Sequence, residues 1–161
     1  MAHRPSPPWT RRLRDPLLGL LKQGLSPGAL AAAVAVGLAL GMFPVVGTTT
    51  LLSAGAALAL GLNPAAVQLA NYLAYPLQLA LLVPFVHLGE RILGIPHAPL
   101  ALGPLLAGLR SDLFPTLAAF SAHLGHACLA WVLVVPPAAA LLAFLLRPLF
   151  ARLGRRDPVV H

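Results

Sequence analysis

Gln68, Asn71, Tyr75 and Gln78 follow one another at intervals of three, four and three residues, in a stretch without a charged side chain. On a helix turning ~100° per residue they share an arc of about 80°. Amides and a phenol on one stripe exchange hydrogen bonds without carrying charge, which suits either a polar pocket or helix-to-helix bonding. Upstream, Pro44, Gly47, Thr48, Thr49 and Thr50 gather hydroxyls around a proline and a glycine. Such a break frees backbone groups that a substrate or ion can use. These nine residues are the expected ligand-binding set, with purely structural bonding between helices as the competing account.

Two other constellations carry titratable chemistry. His87 and Glu90 are three apart, and His123 and His126 repeat that spacing. Pairs of this kind bind metals or pass protons. Neither belongs to an HExxH or paired CxxC motif, so no metal and no cofactor is expected. The chain also lacks a nucleophile elbow, a P-loop and a dinucleotide fingerprint. Its acidic residues, Asp15, Glu90, Asp112 and Asp157, are too dispersed for a carboxylate pair. The expectation is a protein that is not an enzyme.

The elements that must hold these residues are set by charge. From Leu25 to Gly89 there is no Asp, Glu, Lys or Arg. One helix of that length would measure about 98 Å at ~1.5 Å per residue, three times a hydrocarbon core of ~30 Å. The chain must turn back. A second uncharged run extends from Leu113 to Leu146, and the whole sequence is 58% hydrophobic and 9% charged. Soluble domains carry roughly a quarter charged residues, so the expected surroundings are a lipid bilayer.

The net charge of +7 does not point to nucleic acid, because it is placed at the ends. Arg4, Arg11, Arg12, Arg14 and Lys22 precede the apolar runs; Arg147, Arg152, Arg155 and Arg156 follow them. That is the positive-inside pattern, with both termini cytoplasmic and an even number of crossings. Anionic headgroups are the expected partners of the basic ends. The lone Cys128, inside an apolar run, reads as a packed small side chain.

Along the chain, residues 1–22 read as a basic tail followed by an interfacial helix, Trp9 to Lys22. Residues 23–156 form one integral membrane domain and 157–161 a short tail. Ser26-Pro27 predicts the start of a helix reaching about Phe43, before Pro44. The apolar sequence continues past any signal-peptide length, so this reads as an uncleaved first span. Ala29, Ala33, Gly37 and Gly41 recur every fourth residue, a ladder for close helix packing. Thr48 to Leu62 suits a re-entrant segment; the alternative is a surface loop with Thr48 capping the next helix. Asn63-Pro64 starts another helix, crossing from Ala65 to Leu88. Ile92 to Arg110 reads as a connector with a short helix near Leu100 to Leu109. Phe114-Pro115 opens a span to about Val135, where Pro136-Pro137 should end or bend it. Ala138 to Phe150 then returns as a short hairpin partner, or continues as a bent end; the basic C-terminus favours the hairpin. The fold class expected is all-α, a polytopic helical membrane protein of about four spans with a re-entrant or broken-helix element.

The residues Leu25-Ser26-Pro27, Gly37 through Thr50, Asn63-Pro64, Asn71 with Tyr75-Pro76, and Leu88-Gly89 resemble a bacterial membrane family, domain-of-unknown-function family twenty sixty-two. The resemblance covers Leu25 to about Arg156 and rests on a Pro-x-x-Gly-x-x-Thr core followed by an asparagine and an Asn-Pro element. Here Thr49 stands where a glutamine often precedes the core threonine, and Asn71 lies four residues from Tyr75-Pro76. The resemblance implies an integral inner-membrane protein and supplies no activity. Some members are joined to glycosyltransferase-like domains, which implies a link to envelope glycan or lipid chemistry.

The function expected from the residues is transport or handling of a small solute or lipid through a polar site at the broken helix, in a homo-oligomer. The alternative is a non-catalytic scaffold that recruits a partner through its basic cytoplasmic ends. A metal or redox role for His123, His126 and Cys128 is the third reading.

Overall fold

The computed structural model describes residues 26–96 and 113–154, which form four helices and no strand. The expected interfacial helix from Trp9 to Lys22, the helix near Leu100 to Leu109 and the C-terminal tail lie outside the described residues. The helices are α1 (Pro27–Gly41), α2 (Thr49–Ala59), α3 (Pro64–Leu93) and α4 (Leu113–Gly154).

Two of the starts are written locally. Ser26 accepts at Oγ from the Ala29 N–H (3.1 Å) with Pro27 in the first helical turn. Asn63 accepts at Oδ1 from the Ala66 N–H (3.0 Å), again followed by proline. Each cap satisfies one of the amides that a helix start leaves open. α2 ends in a Schellman motif: Leu62 N–H donates to the Ala57 carbonyl (2.8 Å), and Gly61 adopts φ 62°, in the left-handed region glycine allows. That turn sends the chain straight from α2 into α3.

The direction of packing follows from the small-residue ladder. Gly37 lies against Val67 and Ala70, and Gly41 against Asn71 and Ala74. A step of four on α1 matches a step of four on α3, so these two helices run parallel. α4 runs the other way: Phe150 near its end packs with Leu30, whereas Ala127 and Ala130 near its start share a cluster with Ala39, Phe85 and Val86. α2 packs on α1 and α3. Its end, at Ala57, lies beside Leu30, Ala31 and Ala33 at the start of α1, so the two form a helical hairpin.

Lengths separate the helices into two kinds. α3 (30 residues) and the Phe120–Arg152 part of α4 (33 residues) are long and apolar enough to cross a membrane. α1 and α2, at 15 and 11 residues, extend about 22 and 16 Å at ~1.5 Å per residue. Both fall short of a ~30 Å core.

One expectation is corrected. Pro136-Pro137 does not open a hairpin; α4 continues through it, and through Pro148, as one 42-residue helix. A helix reversal needs a connection of a few turn-forming residues, and Pro136-Pro137 is followed at once by three alanines and two leucines, strong helix formers. The prolines remove hydrogen bonds to the Val132 and Leu133 carbonyls and bring no turn chemistry with them. The bent-end alternative, a continuing helix, is the one observed.

Candidate functional site

The hairpin tip, between Gly41 and Thr49, is where regular backbone stops. A helix end leaves its last carbonyls without partners, and the fold supplies donors from three directions. Gln78 of α3, 2% exposed, donates from Nε2 to the Phe43 carbonyl (2.6 Å). Trp131 of α4 donates from Nε1 to the Ala39 carbonyl (3.1 Å), and its ring meets Phe43 edge-on, with centroids 5.1 Å apart. Thr48 donates from Oγ1 to the Val45 carbonyl (2.9 Å). Pro44, fully buried, has no backbone N–H and so needs no acceptor for its nitrogen.

Gln68 ties the other side of the tip. Its Nε2 donates to the Thr50 carbonyl (2.9 Å), and its Oε1 accepts from Asn71 Nδ2 (3.3 Å). The orientation of these amides follows from one fact. The Thr50 carbonyl can only accept, so Gln68 must offer it an N–H. The Gln68 oxygen then faces Asn71, which must in turn offer its own N–H. Asn71 Oδ1 is left over: buried, with no partner, on a side chain 3% exposed. Ser53 Oγ, on the buried face of α2 one turn beyond Thr49, is in the same condition.

The expected site residues therefore divide. Pro44, Thr48, Thr49, Thr50, Gln68, Asn71 and Gln78 lie at the junction of the tip with α3; Thr49 is buried and Thr50 takes part through its backbone. Gly47 supplies a turn at φ 92°, and a Cβ added there would meet nothing within 4 Å. Tyr75 is not in the cluster, being 50% exposed. The helical wheel explains why: at ~100° per residue Tyr75 falls within about 20° of Gln68, and Gln78 within about 20° of Asn71. The Asn71–Gln78 line is covered by α1 and the tip; the Gln68–Tyr75 line is covered only as far as α2 reaches. Thr48, at the N-cap position of α2, makes no side-chain capping bond, since its hydroxyl turns back to Val45.

Trp131 and Ser53 were not among the expected residues. A tryptophan in an apolar run always carries an N–H in need of an acceptor, a signal that could have singled it out. Its acceptor lies 92 residues away in sequence, so nothing local identified the partner. At the other end of α3, Glu90 is buried beside His123 of α4, and no group of three or more His, Cys, Asp or Glu suited to a metal occurs among the described residues.

The level of the tip is fixed by the same bonds. Gln78 stands 14 residues after Pro64 and 15 before Leu93, about 21 and 22 Å along α3. The hairpin thus ends opposite the middle of the longer helix.

A protein-family comparison matches residues 10–157 to a family described as "Uncharacterized protein conserved in bacteria (DUF2062)". No curated protein and no solved structure matches the chain.

Proposed function

The chain belongs to this bacterial family, DUF2062, and from that premise we propose that it is a multi-pass inner-membrane protein whose α1–α2 hairpin is re-entrant and handles a neutral, hydroxyl-bearing solute or lipid headgroup. The observation that carries the reading is the Gln78 bond to the Phe43 carbonyl, which holds a break in the backbone level with the middle of a helix long enough to cross. Irregular backbone at bilayer depth persists only where protein or a water-filled cavity covers it. Here side chains from α3 and α4 provide that cover.

In this arrangement α3 and α4 make two full crossings and the hairpin makes none, which agrees with basic, cytoplasmic ends. The wide apolar exposure of α2, α3 and α4, including Leu51, Leu58, Tyr72, Phe144 and Leu145, suits contact with lipid. The ligand class follows from what is left open. Charge is absent from Leu25 to Gly89, so no ionic group of the hairpin or its seam holds a charged cargo. Asn71 Oδ1 accepts only, and a buried acceptor without a partner favours a ligand that donates an O–H. A polyol or the hydroxyls of a glycerol or sugar headgroup meet that requirement.

Two measurements on purified protein in liposomes test the two parts. With Cys128→Ser as background, a bimane on Val46→Cys should be quenched more by lipids brominated near the acyl end than near the headgroup; the reverse order places the tip at the surface and ends the re-entrant reading. Glycerol permeation by stopped-flow light scattering, and dithionite bleaching of a headgroup-labelled phosphatidylethanolamine, should exceed protein-free liposomes and fall to background in Asn71→Leu. Neither flux above background would leave the scaffold role, with partner recruitment through the basic ends, as the better account.

A further inference from the structure

We propose that Glu90, His123 and His126 form a proton-binding site at the far end of the α3–α4 seam, and that its occupancy is felt at the hairpin tip through Trp131. Glu90 is 1% exposed, yet the His123 Nε2 stands 3.9 Å from its Oε1. A buried carboxylate is costly unless a counter-charge faces it, and imidazole is the side chain that gains or loses that charge between about pH 5 and 8. His123 keeps 21% of its side chain exposed, so the pair is not sealed inside the helix seam.

His126 supplies the second part. Its ring lies 6.2 Å from that of His123, centroid to centroid, and its Nδ1 is buried without a partner. One imidazole faces a carboxylate, and the next carries an unused nitrogen. A proton added to this trio moves its net charge by one, inside a seam with little room. The backbone of Gly89 lies so close to the His126 carbonyl that a Cβ there would overlap it. A shift of His126 is therefore passed to α3 directly.

Among the described residues, the titratable and charged groups around the trio are few. On α3, His87 and Arg91 flank Glu90 and are exposed; on α4, Cys128 follows His126 by two residues, about 200° around the helix. α1 and α2 contain no titratable side chain. Five residues beyond His126, about 7.5 Å along α4, Trp131 bonds the Ala39 carbonyl and packs on Phe43. Proton uptake in the seam thus has a reporter already in contact with the tip. The proton site itself is independent of the transport reading; only its consequence at the tip bears on that reading.

The test uses the full chain in phosphatidylcholine nanodiscs with Trp9→Phe, which leaves Trp131 as the one tryptophan. Its emission should titrate once between pH 5 and 8.5. Glu90→Gln and His126→Gln should each abolish that transition or move its midpoint by about one pH unit, whereas His87→Gln and Cys128→Ser should keep it. In parallel, the histidine ring protons followed by NMR in the parent protein, assigned by His→Gln variants, should show His123 and His126 titrating over the same range. This second measurement decides the matter if Glu90→Gln does not fold. A flat emission profile with histidines that do not titrate overturns the proposal, as does a transition unchanged in both variants. A titration without glycerol or lipid flux keeps the proton site and removes the transport reading; flux without titration does the opposite.

Discussion

Replacing Gln78 by methionine keeps the length and most of the volume of the side chain and removes its donor. The Phe43 carbonyl then loses its partner, at a position where the next residue is proline and no backbone N–H reaches back to it among the described residues. Hydrogen bonds between side chains in membrane helices average about 0.6 kcal/mol, because the unfolded helices find other partners. This acceptor differs in being a backbone carbonyl fixed at a break and contacted by a side chain 2% exposed. Leaving such a group unsatisfied costs about 1–3 kcal/mol, which is roughly a 5- to 150-fold change in the unfolding equilibrium. Reversible unfolding in a mixed detergent series, followed by circular dichroism, measures it. Gln68→Met provides the comparison: its acceptor, the Thr50 carbonyl, lies inside α2 and keeps its intrahelical N–H partner, so the cost should stay below about 0.5 kcal/mol. Equal effects of the two substitutions, or a Gln78→Met protein within 0.5 kcal/mol of the parent, would refute the view that the tip is held by a bond without substitute.

Two further substitutions probe the same junction. Gly41→Val places a Cβ 2.6 Å from both the Asn71 carbonyl and the Ala74 Cβ; overpacking of this kind costs about 1–3 kcal/mol, and it should separate α1 from α3 enough to weaken the Gln78 bond, seen as a smaller cost of Gln78→Met in the Gly41→Val background, a non-zero coupling in the double-mutant cycle. Trp131→Phe keeps an aromatic ring against Phe43 and deletes the donor to the Ala39 carbonyl, so it should destabilise by about 1 kcal/mol in the same detergent series.

The parts of this fold that were legible in the sequence are those with a local cause. Ser26-Pro27 and Asn63-Pro64 read correctly because an N-cap and a first-turn proline act within three residues. The break at Pro44 and the ladder through Gly37 and Gly41 also read correctly, since each is a property of one short segment. Pro136-Pro137 did not, because a proline removes a hydrogen bond without dictating what the chain does next; the leucines and alanines around it decide that. Tyr75 was misplaced for a different reason. Periodicity gives the angle of a side chain on its helix, whereas coverage depends on where a neighbouring helix ends. α2 begins at Thr49, and the stripe beyond Gln68 outruns it.

The pattern of charge gains a physical meaning from the tip. A break in a buried helix presents carbonyl oxygens, and those could be met by lysine or arginine as well as by amides. A cation there would need a buried carboxylate nearby, and a pair of buried ions returns little for its desolvation. Gln68, Gln78, Thr48 and Trp131 meet the same carbonyls with neutral N–H and O–H donors and need no counter-charge. The uncharged run therefore extends across every residue of the hairpin and its seam on α3, and the first acidic side chain after it, Glu90, is found where histidines on α4 stand ready to face it.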